Sequence, residues 1–217
     1  MEINLLQNYP KTHRDLKERG LTKTEEQKKI ARKFDFDFFD GDRKYGYGGF
    51  NYDKKYWSKV VKDFINFYGI QRGDKILDVG CGKGFMLFDF QLANLDLELY
   101  GIDISNYALN NSKNSLKAHL VQGNAKELPS ESNYFDLVIS INTIHNLVLE
   151  DCKKSIQEIM RVSKKNSFLV VDAYRNKQEK ENIYAWNLTA QTILSTDEWK
   201  ELFLSLDYKG DYYWFIP

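Results

Sequence analysis

Three glycines at alternate positions mark the place where the chain passes from a short apolar run into a helical pattern. Gly80, Gly82 and Gly84 follow the run KILDV at 75–79, and the helical pattern begins directly after them. Glycines in a turn between a strand and a helix allow backbone N–H groups to approach a ligand at the helix N-terminus. Because many nucleotide-binding folds share such turns, the glycines alone predict a ligand site without naming the ligand.

Two acidic residues narrow the choice of ligand. The GxGxG spacing differs from the nicotinamide fingerprint GxGxxG, which would need glycine where this chain has Phe85. Asp78 stands just before the glycines, where a carboxylate repels a pyrophosphate but suits a cationic amino group. Asp103 ends the next apolar run, 19 residues after Gly84, where an acidic side chain accepts hydrogen bonds from both ribose hydroxyls. A ligand with a ribose, a positive charge and no phosphate matches S-adenosylmethionine.

The same segments carry a family resemblance. DVGCGKG at 78–84 and GIDIS at 101–105 resemble the first two motifs of the class I S-adenosylmethionine-dependent methyltransferases. Later pieces follow in that family's order: GNA at 123–125 resembles the turn that pairs with the adenine amino group, and FDLVIS at 135–140 resembles the fourth strand, whose end lies beside the methyl donor. The resemblance covers about residues 53–217 and implies S-adenosyl-L-methionine as the cofactor.

The resemblance implies a role for each matching position. Asp78 and the 80–84 loop would hold the methionine end, Asp103 the ribose, and Asn124 with Ala125 the adenine. The family often has Asp where this chain has Asn124, and an amide still serves there. The segment 140–142 would flank the methyl group. The cofactor-binding residues implied in this way, together with one tyrosine of the N-terminal segment, are Tyr47, Asp78, Gly80, Cys81, Gly82, Gly84, Asp103, Ile104, Asn124, Ala125, Ser140, Ile141 and Asn142.

A histidine follows the fourth predicted strand, where family members place substrate-facing groups. His145 is one of three histidines, and the other two, His13 and His119, lie away from the predicted site. A histidine with a pKa of about 6.5 accepts the proton of an attacking hydroxyl or amine, which makes His145 the candidate catalytic base. The alternative is a structural hydrogen-bonding role, and the sequence leaves both open. Asn146 is a candidate substrate contact.

A segment rich in glycine and tyrosine precedes the predicted domain. Its acidic residues suggest calcium, but in a loop counted from Asp35 the sixth and twelfth positions hold Asp40 and Gly46, so the EF-hand pattern fails. Glycines allow close backbone approach and tyrosines offer flat apolar faces, which suits a lid over a ligand. A packed crossing without a ligand is the equal alternative. The lid hypothesis assigns Tyr45, Tyr47 and Tyr52 to closing the site.

The stretch 11–33 is basic, with nine Lys or Arg residues against four Asp or Glu. Such a surplus attracts a phosphorylated substrate, although a solvated helix face is the commoner explanation of a charge run. Thr22 and Glu25 are spaced like a capping box and predict a helix extending to Lys33. Apolar residues at helical spacing predict another helix over 53–68, with Gly69 as its C-cap.

The elements that must position these residues alternate along the remainder of the chain. Strands are predicted at 75–79, 98–103, 119–123, 135–140 and 167–173, and helices at 84–94, 105–116, 150–162 and 195–206, the last opened by Thr196 as N-cap. The aromatic tail 207–216 predicts one or two final strands, antiparallel at the sheet edge. The pattern indicates an α/β fold: a Rossmann-like, mostly parallel seven-stranded sheet with helices on both faces, plus an N-terminal helical lid. Residues 71–217 would form the domain and residues 1–70 the lid extension.

Composition excludes several classes of function. The 217 residues hold 31 basic and 31 acidic side chains, so the net charge gives no case for duplex nucleic acid as a partner. Cys81 and Cys152 are too few for a structural zinc site, no metal is expected, and Cys81 is expected to pack rather than to act as a nucleophile. No apolar run approaches the roughly 18 residues of a membrane span, and residues 1–20 are too polar for a signal peptide, which favours a cytoplasmic protein.

Two motifs are missing, one of methyltransferases that act on the planar amino groups of adenine or glutamine and one used for methylation of cytosine C5. The segment after the fourth strand lacks (Asp/Asn)-Pro-Pro-(Tyr/Phe), and no Pro-Cys nucleophile occurs. The sequence therefore predicts transfer of a methyl group to an O or N atom of a small molecule. The segment YGYGG at 45–49 resembles small bacterial methyltransferases of surface-carbohydrate pathways, which points to a sugar or polysaccharide building block. Alternatives are another metabolite, protein or RNA as acceptor, a non-catalytic cofactor-binding partner subunit, and a nicotinamide-dependent oxidoreductase. The oligomeric state is left open.

Overall fold

A computed structural model describes residues 1–11, 14–48, 51–93 and 95–217 of the chain. The strands are β1 (Lys75–Val79), β2 (Glu98–Asp103), β3 (His119–Gln122), β4 (Phe135–Ile141), β5 (Ser163–Tyr174), β6 (Leu194–Ser195) and β7 (Asp211–Phe215). The helices are α1 (Leu16–Thr22), α2 (Glu25–Ala31), α3 (Phe36–Phe39), α4 (Lys54–Tyr68), α5 (Phe85–Leu92), α6 (Asn106–Asn110), α7 (Leu149–Val162), α8 (Lys177–Trp186) and α9 (Thr196–Ser205). Single 3₁₀ turns cover Arg43–Tyr45 and Ile144–Asn146. Two residues named above, His13 and Gly49, lie outside the described residues.

The described strands form one seven-stranded sheet in the order β3-β2-β1-β4-β5, and β5 pairs with both β6 and β7 on its other side. The pairings between these strands are parallel. Near-continuous apolar runs such as that of β4 are buried because helices cover both faces of the sheet. The predicted Rossmann-like α/β fold is confirmed.

The direction of the last strand differs from the prediction. The tail was expected to run antiparallel, and this is wrong, because β7 runs parallel to β5 with Phe168 opposite Asp211 and Asp172 opposite Phe215. The parallel direction of β7 follows from the path of the chain. Strand β6 pairs at the carboxyl end of β5, and α9 then returns the chain to the opposite end of the sheet, where β7 begins. A strand reached through such a crossover helix points in the same direction as its neighbour. Glu2 pairs with Tyr212 on the outer side of β7.

Three helix boundaries also differ from the prediction. The capping box is formed by Thr24 and Gln27, whereas Thr22 is the last residue of α1. Ser195, and not Thr196, caps α9, because its hydroxyl accepts from the Glu198 N–H while the Glu198 carboxylate accepts from the Ser195 N–H. Helix α6 ends at Asn110, before a run of Asn and Ser residues whose side chains compete for backbone hydrogen bonds.

Two apolar clusters hold the layers together, one on each face of the sheet. The first includes Ile156 of α7 and Trp199 of α9, and the second includes Phe64 of α4 and Phe90 of α5. Gly69 ends α4 in the left-handed conformation with φ of 60°, so the predicted C-cap is confirmed. In the part of the chain that the structure describes, no helix combines the length and the apolar character needed to cross a bilayer.

Candidate active site

The carboxyl ends of β1, β2 and β4 meet at one edge of the sheet, and the glycine loop lies between them. Gly80, Gly82 and Gly84 have φ values of 84°, 52° and 71°, a left-handed conformation that favours glycine. A Cβ atom on Gly80 would lie 2.0 Å from Oγ1 of Thr143, which follows β4. Glycine is therefore required here both for the turn and for close packing against the end of β4.

Asp103 fixes the glycine loop from the neighbouring strand. Its Oδ2 accepts a hydrogen bond from the Gly82 N–H at 2.7 Å, and its Oδ1 accepts one from the Ser105 N–H at 2.8 Å. Burial raises the pKa of this carboxyl, and the backbone N–H donors oppose that rise. A carboxylate has about four acceptor positions, so Asp103 retains capacity for hydroxyl donors of a ligand.

Asp78 is the more unusual carboxyl of the two. It is 7% exposed, and burial together with the nearby charge of Asp103 raises its pKa to about 7. Two neighbouring carboxylates in a buried site are costly unless a cation joins them. The donor set therefore fits S-adenosylmethionine, whose ammonium group would be taken by Asp78 and whose ribose hydroxyls by Asp103.

The raised pKa of Asp78 predicts a pH-dependent affinity for S-adenosylhomocysteine. Binding of an ammonium group requires the ionised carboxylate, and a group with a pKa of about 7 is mostly protonated at pH 6. Affinity is therefore expected to rise roughly five- to tenfold between pH 6.0 and pH 7.5, with proton release at the lower pH. Titration calorimetry in buffers of different ionisation enthalpy measures both quantities. A flat profile over this range would contradict the assignment.

The predicted adenine contacts lie together at the ends of β2 and β3. Ile104 is 52% exposed, an apolar side chain left open beside Asp103. The Asn124 Oδ1 atom accepts from the Lys126 N–H at 3.1 Å and so shapes the turn after β3. Ala125 is partly buried against the core. The structure thus places Ile104, Asn124 and Ala125 along one edge.

The residues predicted to flank the methyl group face in different directions. Ser140 is fully buried, and its hydroxyl donates to the carbonyl of Val79, so it joins β4 to β1. Asn142 is exposed and has a positive φ of 55°, a left-handed conformation that Asn tolerates better than most residues. Its carbonyl accepts from Asn146 Nδ2 at 3.1 Å. The Asn146 Oδ1 atom is buried and has no donor among the described residues, which suits an acceptor of a ligand hydrogen bond.

His145 lies beneath this edge, buried to 4% exposure. Its Nδ1 accepts from the backbone N–H of Asp172 at 2.9 Å, and its Nε2 lies 3.4 Å from the Asp172 carboxylate. Because Nδ1 accepts, the proton of the neutral ring is on Nε2 and faces that carboxyl group. Burial lowers the pKa of His145 to about 3 and raises that of Asp172 to about 8. These contacts favour the structural alternative over the catalytic base.

Tyr47 anchors the N-terminal segment to the loop after α8. Its hydroxyl accepts hydrogen bonds from the N–H groups of Leu188 at 2.6 Å and Thr189 at 3.3 Å, and its ring packs against Trp186. The hydroxyl is thus engaged within the protein. Tyr47 is therefore a packing and hydrogen-bonding contact between the N-terminal segment and the loop after α8.

Replacement of Tyr47 by phenylalanine is expected to destabilise the protein by about 1–3 kcal/mol, because buried N–H groups lose their acceptor. The midpoint of thermal unfolding should fall by a few degrees, about 2–4 °C per kcal/mol. Tyr45→Phe is the matched control, since Tyr45 lies in a 3₁₀ turn beside Lys44. Equal midpoints for Tyr47→Phe and wild type would show that the hydroxyl does not anchor the segment.

The side chain of Tyr52 packs against helix α5. Its hydroxyl donates to Asp89 at 3.1 Å, and its ring meets the edges of Phe85 and Phe88. The second oxygen of Asp89 is buried and has no donor among the described residues. Tyr52 therefore holds the connection between the N-terminal segment and the start of α5.

The sequence interpretation missed a contact that closes on the glycine loop. Both carboxylate oxygens of Asp40 lie 2.6 Å from Lys83 Nζ, and the Tyr107 hydroxyl donates to Asp40 at 2.6 Å. Burial opposes ionisation, but these hydrogen bonds lower the pKa of Asp40. Phe39 lies directly over Gly82, since a Cβ atom there would be 3.3 Å from its ring. We call the contacts of Phe39 and Asp40 with Gly82, Lys83 and Tyr107 the Asp40 clasp. The signal for it in the sequence was the lysine within the glycine motif.

The fold and the edge of the sheet together define a class of protein. A parallel sheet with a glycine loop after β1, a buried Asp before that loop and an acidic residue ending β2 is the arrangement typical of nucleoside-binding α/β enzymes. A family profile described as "Methyltransferase domain" matches residues 70–211. The chain therefore belongs to the methyltransferase domain family.

Known proteins agree with this assignment. The uncharacterized methyltransferase YdaC of Bacillus subtilis is 35% identical over 103 residues, which are 46% of this chain and 56% of YdaC. The tRNA (carboxymethyluridine(34)-5-O)-methyltransferase of Arabidopsis thaliana is 32% identical over 147 residues, 66% of this chain and 33% of that protein. The chain thus spans between a third and about half of these relatives. The crystal structure of YcgJ from Bacillus subtilis shares the fold, with a TM-score of 0.56 and 19% identity over 67% of this chain and 66% of YcgJ.

Proposed function

We propose that the protein transfers the methyl group of S-adenosyl-L-methionine to an oxygen or nitrogen atom of a small acceptor, a sugar or a surface-polysaccharide building block. The observation that carries the donor part is the pair of buried carboxylates, Asp78 and Asp103, on either side of a glycine loop in the left-handed conformation. That pair suits a cationic nucleoside without phosphates. It disfavours a nicotinamide dinucleotide, whose pyrophosphate Asp78 would repel.

The protein's own part in the reaction is alignment and exclusion of water. The bound cofactor supplies an already activated methyl group on sulfur. Asp78 and the loop 80–84 hold the amino-acid end of the cofactor. Asp103 binds its ribose, and Ile104 packs against one edge of its adenine. Asn124 and Ala125 also contact the adenine. The exposed Asn142 and the buried Asn146 Oδ1 orient the acceptor atom. Orientation of this kind accounts for several orders of magnitude in rate without a strong base.

The N-terminal segment acts as a lid in this proposal. Asp40 and Phe39 hold it on the glycine loop, and Tyr47 holds it on the loop after α8. The residues 1–70 would therefore shape the acceptor pocket, while residues 71–217 carry the donor. Relatives of this chain differ in what they methylate, one of them a modified uridine of tRNA, so similarity alone does not select the acceptor.

A second candidate function is that of a non-catalytic cofactor-binding partner subunit. It is favoured by the burial and internal bonding of His145, which leave no histidine free to act as a base near the end of β4 among the described residues. Methyl transfer by the isolated chain to any acceptor would exclude this alternative.

Thermal denaturation with S-adenosylmethionine, S-adenosylhomocysteine and NAD, each tested on protein stripped of bound ligand, examines the proposed donor. A ligand at a hundred times its dissociation constant stabilises a protein by about 2.7 kcal/mol. For a chain of this size the midpoint should rise by roughly 5 to 10 °C with the two adenosyl ligands. A rise with NAD alone would overturn the proposal and make the glycine loop a variant dinucleotide site.

A further inference from the structure

Three arginines gather around one tryptophan at the end of α8. The guanidinium carbons of Arg14, Arg19 and Arg43 lie 5.6, 4.6 and 5.9 Å from the ring centroid of Trp186. Arg14 precedes α1, Arg19 lies within it, and Arg43 begins the 3₁₀ turn. We call these three residues the arginine cluster. They belong to the basic N-terminal stretch and the turn that follows it.

No carboxylate neutralises the cluster within the described residues, where none of its three members forms an ion pair with Asp or Glu. Arg19 Nη2 and Arg43 Nη1 instead donate to the same carbonyl, that of Gly46, at 2.8 and 3.5 Å. The Arg19 Nε–H is buried and has no acceptor among the described residues. Burial lowers the pKa of each guanidinium, and repulsion between the arginines lowers those of Arg19 and Arg43 further.

Packing on the tryptophan does not by itself account for three cations. A cation over an aromatic face gains about 0.5–2 kcal/mol, and an indole ring has two faces. With three guanidinium groups within 6 Å of one ring centroid, at least two share a side of Trp186 and repel each other. An anion held between them would relieve this repulsion and would supply an acceptor for Arg19 Nε.

The cluster lies toward the same edge of the sheet as the glycine loop. Arg14 is 4.8 Å from the ring of Phe215, the residue of β7 opposite Asp172 at the carboxyl end of β5. Arg19 is 5.0 Å from the ring of Tyr47, whose hydroxyl reaches the loop after α8. The N-terminal segment therefore carries positive charge to the side of the site next to β5, away from the donor contacts on β1 and β2.

We propose that the arginine cluster is an anion subsite for a phosphoryl group on the methyl acceptor. The acceptor would then be a phosphorylated small molecule, held by its phosphate at the cluster while the methylated atom lies near the end of β4. Guanidinium forks pair with phosphate oxygens in two-point geometry, and three forks from three positions match a tetrahedral dianion better than a planar carboxylate. The acceptor role rests on the proposed function, whereas anion binding does not.

Titration calorimetry with inorganic phosphate tests the subsite, with chloride balancing the ionic strength. We expect a dissociation constant of about 1 mM for the wild type, the weak binding typical of an isolated fragment. Arg43→Gln should weaken it about tenfold, and because Arg43 is exposed the variant is expected to fold. Arg19→Lys, which keeps the charge but loses the fork, should weaken it several-fold. Arg72→Gln is the matched control: Arg72 is exposed, pairs with Asp96, and should bind phosphate like wild type.

The outcomes separate the subsite from the donor. Binding of phosphate that Arg43→Gln weakens and Arg72→Gln does not supports the cluster. Equal binding by wild type and Arg43→Gln, or equal losses in Arg43→Gln and Arg72→Gln, overturns it. S-adenosylhomocysteine is titrated into the same proteins. If the wild type binds phosphate through the cluster but no S-adenosylhomocysteine, the proposed function fails while the anion subsite stands; the reverse result removes the subsite alone.

Discussion

Asp78→Asn is expected to weaken binding of S-adenosylhomocysteine about a hundredfold at pH 7.5, equivalent to about 2.7 kcal/mol. The carboxylate is buried at the end of β1 and is the group that would take the ligand's ammonium. A hydrogen bond to a charged group contributes about 1.5–3 kcal/mol, and the amide replaces it with a neutral contact. Titration calorimetry on both proteins measures the difference.

The same substitution should leave the ligand-free protein equally stable or more stable at pH 8. A carboxyl with a folded-state pKa of about 7 and an ordinary value near 4 destabilises the folded state as pH rises through that window. A neutral amide removes that cost. Asp136→Asn is the matched control, since Asp136 is the second residue of β4, at the opposite edge of the sheet, where its carboxylate accepts from the Lys75 N–H and pairs with Lys165. That variant should lose stability and keep its affinity. Near-normal affinity in Asp78→Asn would remove Asp78 from the donor site.

His145→Ala is expected to lower the free energy of unfolding by about 3 kcal/mol. The substitution opens a cavity at a fully buried position and leaves the Asp172 N–H and carboxyl group without their partner. Urea denaturation of the ligand-free protein, followed by far-UV circular dichroism, measures the change. Since burial lowers the pKa of His145 to about 3, the ring in the folded protein is neutral near pH 7.

The structural and catalytic roles of His145 predict different patterns. In the structural case, turnover per folded molecule and affinity for S-adenosylhomocysteine fall together. A loss of turnover above about a hundredfold with normal stability and affinity would restore the base hypothesis, since general base catalysis contributes 10²–10⁴ in rate. His119→Ala is the control: this histidine is exposed at the start of β3, stacks on Tyr100, and should change stability little.

The donor side of the site could be predicted because its signals are local in sequence. Strands β1 and β2 have the predicted bounds, and the glycine spacing with Asp78 and Asp103 depends on two adjacent strand–turn units. Parallel pairing of neighbouring strands then brings the two carboxylates together without further information. Fold and family followed from the same residues.

The contacts of the N-terminal segment with the site could not be predicted because they join segments that are distant in sequence. Asp40 meets Lys83, 43 residues away, and Tyr47 meets Leu188, 141 residues away. The direction of β7 depends on the path of the chain through α9. Helix α8 was not among the predicted helices, because only two of its residues are buried, Ile183 and Trp186, which is too few for a periodic apolar pattern. Which way His145 faces is likewise decided by Asp172 of the next strand, not by its neighbours in sequence.

The Asp40 clasp makes the glycine loop and the N-terminal segment one cooperative unit. Asp40 joins Lys83 of the loop to Tyr107 of α6, and Phe39 covers Gly82, so neither part opens without breaking the same hydrogen bonds. Local opening in such a unit has one free energy, which amide hydrogen exchange reports equally from all of its members. Exchange protection of Gly82 and of Asp40 should therefore rise and fall together when the protein is destabilised or a ligand is added.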